Sequence, residues 1–575
     1  MNYAASPVLA LRLPLWRSRL LLVLIAGGFL VLACRAVYLQ GLNNDFLQHK
    51  GESRYSRVIE ISANRGRIAD RHGEALAIST PVKSVWAIPE EVQYSSQQRA
   101  RLAALLELPP REIDRRLNES TAFVYLKRQI PPEVAERVNE LRITGLFQNR
   151  EYRRYYPGGE VMAQVLGFTG ANDIGQEGIE LAFQSTLAGA SGSRRVIKDR
   201  MGQIVEDMES IREAKDGRDL ALALDAKMQN LAFSQLKLAV ETNKAKAGAI
   251  VVLDAKTGEV LALANLPTYN PNNRSRLSGA QLRNRVITDT FEPGSTLKPF
   301  TVATAIELGK VTPESVIATA GGSFSIGKAT IHDAHRFGDM TVAQVIQRSS
   351  NVGAAKIALG LPAAAMWTMF DKVGFGSAPR LGFPGEATGK LRAYRSWRPI
   401  EQATMAYGHG ISVSLLQLAR AYTVFARDGE LMPLSLLRVD APLAGRQVIS
   451  PDTAHKLRDM LELAVQPGVT APRARVMGYR VAGKTGTAHK EENGGYAEHK
   501  YVASFVGFAP ASDPRLVIAV MLDEPSAGQY YGGAVAAPVF SAVMGGALRM
   551  LGVPPDAPLN PLELPPEGSE LKEGV

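Results

Sequence analysis

Ser295-Thr296-Leu297-Lys298 lies in the run Phe-Glu-Pro-Gly-Ser-Thr-Leu-Lys-Pro-Phe, where a helix start is expected. A serine and a lysine three positions apart share one helical face, so hydroxyl and amine sit a single turn from each other. A lysine held among polar groups in a buried site can lose its proton near neutral pH and serve that serine as base. The chemistry on offer is nucleophilic acyl transfer through a covalent intermediate.

The pair alone says little, since Ser234 and Lys237, Ser325 and Lys328, and Ser569 and Lys572 repeat its spacing. Its company is what distinguishes Ser295. Ser349-Ser350-Asn351 follows about 50 residues later, and Lys484-Thr485-Gly486-Thr487 lies well beyond that. A second Lys256-Thr257-Gly258 falls between the apolar runs 249–253 and 260–264, which reads as a hairpin turn from Asp254 to Gly258. Taken singly, Ser349 could cap a helix while Asn351 satisfies a turn, and Lys484 could guard an edge strand. In order, the three elements favour a catalytic set. His332, His335, His409, His455 and His489 form no convincing ligand set, so neither a metal nor a cofactor is expected.

The elements that must position these residues follow from the patterning. Residues 220–224 read as a strand, 226–242 as an amphipathic helix, and 249–264 as the hairpin. From Pro293 to about Ala426 the pattern is mainly helical, and strands are expected over 501–508 and 516–522 before a closing helix over 537–550. Two strands, a helical insertion and three strands make an α/β (α+β) sandwich around an antiparallel five-stranded sheet. The expected divisions are a domain over 216–552 and a Pro-rich, disordered tail over 553–575.

Residues 40–215 are polar and rich in turns, with helical spacing over 97–106, 110–117 and 131–141. No nucleophile–base pair appears there, so a structural or docking module, a mixed α+β pedestal, is expected. A net charge of +10 invites a nucleic-acid reading, but Lys and Arg are spread among acids, and no nucleic acid is expected. Basicity fits an anionic setting such as a membrane or cell wall. The single cysteine, Cys34, excludes a disulfide framework. It lies in an apolar stretch, 20–39, long enough to span a bilayer, preceded by Arg12, Arg17 and Arg19 with no acid. The expected topology keeps residues 1–19 in the cytoplasm, with one transmembrane helix and the rest outside. A cleaved signal peptide is the alternative, disfavoured because no clean small-x-small site follows.

On these residues the chain resembles the class B penicillin-binding proteins, within them the division-specific branch typified by penicillin-binding protein 3 of the FtsI type. The likeness covers residues 20–552. It includes the anchor, Arg65-Gly66…Asp70-Arg71…Gly73, Gly178-Ile179-Glu180, the three motifs in order, and Tyr530-Tyr531-Gly532-Gly533 near the end. Relatives often carry tyrosine at His409. The resemblance implies a penicillin-binding transpeptidase fold and a D,D-transpeptidase of peptidoglycan synthesis that β-lactams inhibit. Ser295 is then the nucleophile, Lys298 its base, Ser349 the proton shuttle to the leaving nitrogen, and Lys484 the electrostatic support. Asn351 would hold Lys298 and the substrate amide. Thr485 and Thr487 would bind the terminal carboxylate, and the backbone N–H groups of Ser295 and Thr487 would form the oxyanion hole. Gly483 and Gly486 would let the substrate lie along the strand, and Tyr407, His409 and Tyr531 would wall the site. Partners implied are D-Ala-D-Ala stem peptides, a SEDS-family glycosyltransferase of the FtsW type and other division proteins, at the septal inner membrane. An elongation-type transpeptidase, a D,D-carboxypeptidase or β-lactamase, and a β-lactam-binding scaffold of the division apparatus are the competing readings.

Overall fold

The computed structural model describes residues 15–39, 56–119, 123–198, 204–492, 495–559, 571, 572 and 574. Two compact units emerge: one comprises residues 1–63, 81–152 and 190–215, the other 64–80, 153–189 and 216–575.

In the first unit, Leu15–Val37 is a helix of 23 residues whose apolar side chains are exposed along its length. At 1.5 Å per residue it rises about 35 Å, enough for the roughly 30 Å hydrocarbon core of a bilayer. It starts five residues before the expected 20, because nothing in Leu15–Arg19 breaks a helix. Gly532–Met550 is also long and apolar enough to cross a membrane, but 61% of its span is buried within the protein. The helices Ser96–Leu105, Pro110–Asn118 and Pro132–Glu140 match the expected spacing to within two residues. A capping box of Ser95 and Gln98 opens the first, and prolines open the other two. Their inner faces meet strand Val124–Ile130 over Val85, Leu102, Ile113, Leu126 and Val138.

The second unit is built on a five-stranded sheet in the order Val260–Leu266, Ala247–Asp254, Leu516–Asp523, Gly495–Ala509, Ala482–Glu492, every pair antiparallel. All eight residues of Ala247–Asp254 are buried, so this strand is covered on both faces, which explains its continuous apolar run. Helices Ala226–Thr242 and Ala537–Met550 cover one face, meeting Ile250, Val252, Phe505 and Ile518. The other face packs through Val251, Val506 and Val517 on the helical insertion, whose central helix, Lys298–Glu307, is buried from Lys298 to Ala305. Phe300 of that helix sits among Phe375, Tyr422 and Phe425, with ring centroids 4.8–5.6 Å away. Lys256-Thr257-Gly258 is a hairpin tip: Asp254 Oδ1 accepts from the backbone N–H of Lys256 and Thr257, and Gly258 takes φ +77°.

Two features bear on the expected divisions. Residues 64–80 and 153–189, inside the pedestal expected over 40–215, group with the second compact unit. A charged knot joins these two segments to each other. Glu180, fully buried, takes Arg65 Nε at 2.6 Å on one oxygen and Arg154 Nε at 2.7 Å on the other. Past residue 552, the described residues 553–559 make defined contacts. Asp556 accepts from Arg480 N–H and from the Ser512 hydroxyl at 2.7 Å each, and Ala557 N–H donates to Gly478 O. Residues 560–570, 573 and 575 of the expected tail lie outside the described residues.

Candidate active site

Ser295 sits in a single 3₁₀ turn, Gly294–Leu297, that runs directly into the helix Lys298–Glu307. Pro299 falls in the first turn of that helix, where its missing N–H has no partner to lose. The turn is clamped from three sides. Thr296 Oγ1 donates to Pro293 O at 2.7 Å, and Tyr422 Oη donates to Thr296 O at 2.8 Å. Gly408 lies against Gly294 so closely that a Cβ there would stand 2.3 Å from Gly294 O. The nucleophile is therefore held by backbone contacts rather than by its own side chain.

Lys298, with no exposed surface, points its Nζ at four oxygens: Ser295 Oγ at 2.8 Å, Asn351 Oδ1 at 2.8 Å, Ser349 O at 2.6 Å and Ser349 Oγ at 3.1 Å. An amine has three hydrogens at most when charged, so four oxygens within reach leave one of them to share or to donate instead. Ser295 and Ser349 both carry hydroxyl protons that can take that role. Lys484, also fully buried, places Nζ 2.8 Å from Ser349 Oγ and 3.2 Å from Thr485 Oγ1. Ser295, Lys298, Ser349, Asn351 and Lys484 thus form one connected polar cluster, each less than 5% exposed.

The helix Asn351–Leu359 supplies the second motif, and its cap is Ser350, whose Oγ accepts from Gly353 N–H at 2.9 Å. Ser349 therefore does not cap this helix. Instead it adopts φ +60°, a left-handed conformation unusual for a side-chain-bearing residue, and that turn aims its hydroxyl between the two lysines. Asp333 braces the junction by accepting from Ser350 Oγ at 2.7 Å and Val352 N–H at 3.0 Å. Sequence reasoning missed Asp333 and Ser350, because no local spacing links position 333 to the motif.

Lys484-Thr485-Gly486-Thr487 occupies strand Ala482–Glu492, the edge of the sheet. Gly483 and Gly486 also serve the protein's own packing. A Cβ on Gly483 would meet the Phe505 ring at 2.5 Å, and one on Gly486 would meet Pro293 O at 2.7 Å and Thr296 Cγ2 at 3.0 Å. The glycine thus lets the strand close onto the nucleophile turn. Gly294 and the Thr487 backbone abut in the same way, with a Gly294 Cβ 3.2 Å from Thr487 O. Gly532 N–H donates to Thr487 Oγ1 at 3.1 Å, joining the Tyr530-Tyr531-Gly532-Gly533 segment to the strand.

Of Tyr407, His409 and Tyr531, His409 lies within electrostatic reach of Lys298, and Tyr531 directly precedes Gly532, which bonds Thr487. Tyr407 is buried, and desolvation, then the negative charge of Asp333, pushes its phenol up to about 12. His409 packs between Tyr407 and Tyr496, at centroid distances of 5.2 and 5.9 Å. Desolvation, reinforced by the charges of Lys298 and His489, lowers its imidazole to about 4, so it is neutral at physiological pH. Tyr531 Oη pairs with Tyr530 Oη at 3.0 Å, and Tyr530 stacks on Tyr501 at 4.0 Å. Glu292, three residues before the nucleophile, was also missed: it accepts from Gly410 N–H at 2.7 Å and from Tyr496 Oη. Burial raises its carboxyl above the ordinary range. A cavity of about 420 Å³ beside it, bordered by His489, Lys490 and Asp523, is lined by none of the five clustered residues.

A buried serine bonded to a lysine, with a second serine bridging to a second lysine on an edge strand, defines a serine acyltransferase of the penicillin-recognising kind. Comparison with known proteins agrees. The profile of the "Penicillin binding protein transpeptidase domain" matches residues 248–545, and that of the "Penicillin-binding Protein dimerisation domain" matches residues 60–222. The chain is 42% identical over 548 residues, 94% of either chain, to the "Probable peptidoglycan D,D-transpeptidase PenA" of Neisseria meningitidis. It is 41% identical over 549 residues to the "Peptidoglycan D,D-transpeptidase FtsI" of Escherichia coli K12, covering 94% of this chain and 93% of that one. Among solved structures, the apo transpeptidase domain of Burkholderia pseudomallei penicillin-binding protein 3 aligns at 51% identity with a TM-score of 0.55, over 59% of this chain and 98% of that one. The chain belongs to the class B penicillin-binding proteins, of the penicillin-binding protein 3 type.

Proposed function

We propose that this chain cross-links peptidoglycan during septal wall synthesis, as a D,D-transpeptidase held at the membrane by its N-terminal helix. The observation that carries the reading is the 2.8 Å contact between Ser295 Oγ and Lys298 Nζ inside a site that Ser349 and Lys484 complete. Ser295 Oγ attacks the carbonyl carbon of the penultimate D-Ala of a stem peptide, and its proton passes to Lys298. The C–N bond to the terminal D-Ala then breaks. Ser349, protonated in turn from the lysine side, delivers a proton to the departing nitrogen. An amine of a neighbouring stem next attacks the acyl-enzyme ester, gives its proton back through Ser349 and Lys298, and releases Ser295. The Ser295 and Thr487 backbone N–H groups are the donors assigned to the developing oxyanion, where loss of one such donor typically costs about 10²–10³ in rate. Thr485 and Thr487 are assigned to the terminal carboxylate, and the edge position of their strand suits a peptide laid alongside it.

Septal location, an N-terminus in the cytoplasm and engagement of a SEDS-type glycosyltransferase through the anchor and pedestal complete the reading. They rest on the likeness to the Escherichia coli relative, 41% identical, together with the apolar helix Leu15–Val37. The test is intact-mass measurement of the protein after exposure to a β-lactam, beside Ser295→Ala. A lasting adduct of one drug molecule, absent from the variant, is expected. Rapid drug consumption without an adduct would replace transpeptidation by hydrolysis, and an intact drug without an adduct would refute acyl transfer altogether.

A further inference from the structure

One half-buried carboxylate beside the nucleophile has no task in the acyl-transfer scheme. Glu292 Oε1 accepts from Gly410 N–H at 2.7 Å, and Tyr496 Oη donates to the same carboxylate, 3.2 Å from Oε1 and 3.0 Å from Oε2. Gly410 closes a tight turn in which Gly408 and Gly410 take φ of +89° and +80°. Tyr496 stands on strand Gly495–Ala509, and the ring of His409 packs against Tyr407 and Tyr496 at 5.2 and 5.9 Å. At its other end the turn meets the nucleophile's own segment: a Cβ on Gly408 would stand 2.3 Å from Gly294 O and 2.5 Å from Gly294 N. Residues 292–294 and 408–410 are thus fastened twice, by the Glu292 carboxylate at one end and by glycine against glycine at the other. Behind Glu292, Thr290 and Phe291 pair with Ser414 and Val413, so the same two stretches continue as a short antiparallel ladder.

For stability alone, a carboxylate is a poor choice here. Among the described residues no Lys or Arg makes an ion pair with Glu292, and Glu491 adds a second negative charge nearby. A charge drawn out of water without a counter-ion must be carried by hydrogen bonds. A carboxylate accepts on both oxygens, so it suits two donors from separate elements better than an amide with one oxygen. Residues that break the rules of local stability gather where function needs them. We infer that Glu292 is a positioning residue for acyl transfer, which locks the Gly408–Gly410 turn and Tyr496 onto the residues leading into Ser295 and so fixes the attitude of the nucleophile turn. It acts through Gly410, Gly408 and Gly294 rather than on the substrate. The inference rests on the acyl-transfer reading of the same site, and its test separates the two.

Glu292→Ala removes both acceptor oxygens, Glu292→Gln keeps one without the charge, and Tyr496→Phe removes one donor. Full-length wild type, these variants and the Glu292→Ala/Tyr496→Phe double variant, in detergent, are reacted with a fluorescent penicillin over a range of concentrations. The series separates the limiting acylation rate from the half-saturating concentration. Glu292→Ala should lower the limiting rate about 10²-fold, the usual effect of a small misplacement of reacting groups, and leave the half-saturating concentration within about twofold. Tyr496→Phe should lose about three- to tenfold, the worth of one hydrogen bond, and Glu292→Gln should recover part of the Ala loss. The double variant should be no slower than Glu292→Ala, because Tyr496 then has nothing to hold. If Glu292→Ala fails to fold, Glu292→Gln and Tyr496→Phe carry the same prediction. Limiting rates unchanged in the folded variants, with only the melting temperature lowered, would make Glu292 merely structural and overturn the inference. A raised half-saturating concentration at constant limiting rate, the mark of a residue that touches the drug, would overturn it too. Complete labelling of every variant at the wild-type rate would sink the inference and keep the acyl-transfer reading, whereas a wild type that never labels would sink both.

Discussion

Lys484 Nζ stands 2.8 Å from the hydroxyl of Ser349, a residue 135 positions earlier in the chain. Lys298 Nζ approaches the same hydroxyl to 3.1 Å from the opposite motif. One oxygen between two amines has the geometry of a relay, the role proposed for Ser349. Lys484→Met keeps the buried stem and removes the amine, and Ser349→Ala removes the bridge. Each should slow acylation by penicillin about 10²–10⁴-fold, the usual worth of a positioned proton-transfer group. Because they act on one path, the double variant should lose far less than the product of the two. Strictly multiplicative losses in labelling rates would show two independent roles.

The backbone of Ser349 carries a cost of its own. Its φ of +60° is one that a side-chain-bearing residue rarely adopts, and such strain costs on the order of 1–3 kcal/mol. Glycine relieves it at the expense of greater freedom in the unfolded chain. Ser349→Gly and Ser349→Ala both delete the hydroxyl, but only glycine relieves the backbone. The Gly variant should therefore melt above the Ala variant, by about 1 kcal/mol in stability, while both lose acylation. Calorimetry on the pair decides it, and an Ala variant at least as stable would show that the turn is unstrained.

Much of this was legible beforehand because it is local. Helices 226–242 and 537–550 fall where periodicity places them, since an apolar stripe must find a sheet face. The five clustered residues were readable as three short motifs, each set by neighbours in sequence. What escaped was long-range. Asp333 braces Ser350 from 17 residues away, and nothing local marks it. That Gly483 and Gly486 also give clearance to Phe505 and to the Pro293–Thr296 turn is likewise set by residues distant in the chain. The joining of residues 64–80 to 153–189 runs through Arg65, Glu180 and Arg154, whose charges are far apart in the chain.

That triad gives a stability prediction. Glu180 is fully buried between two guanidiniums that are themselves almost wholly buried. Glu180→Gln keeps the shape but leaves two positive charges inside with no counter-charge, which typically costs about 3–5 kcal/mol. Denaturant unfolding of the soluble portion should show that loss in the transition of the catalytic unit, with proteolytic cleavage appearing first within 153–189. A change below about 1 kcal/mol would mean that water, not Glu180, satisfies the two arginines.

His409 predicts the acid limb of stability. Its imidazole, desolvated among Tyr407 and Tyr496 and repelled by Lys298 and His489, titrates near 4 in the folded protein, against about 6.5 for a free histidine. Between those values the unfolded chain binds a proton that the folded one refuses, so unfolding takes up protons. Stability therefore climbs as pH rises from about 4 to about 6.5 and levels off above, and acidification through that window removes it. The ring is only partly shielded, so solvent screening trims the effect below what full burial would give. His409→Phe keeps the ring stack and has nothing to titrate. Its unfolding free energy should run flatter than wild type between pH 4 and pH 6.5 and parallel to it at pH 7–8. Parallel curves across the whole range would show that His409 titrates normally and that another group sets the acid limb.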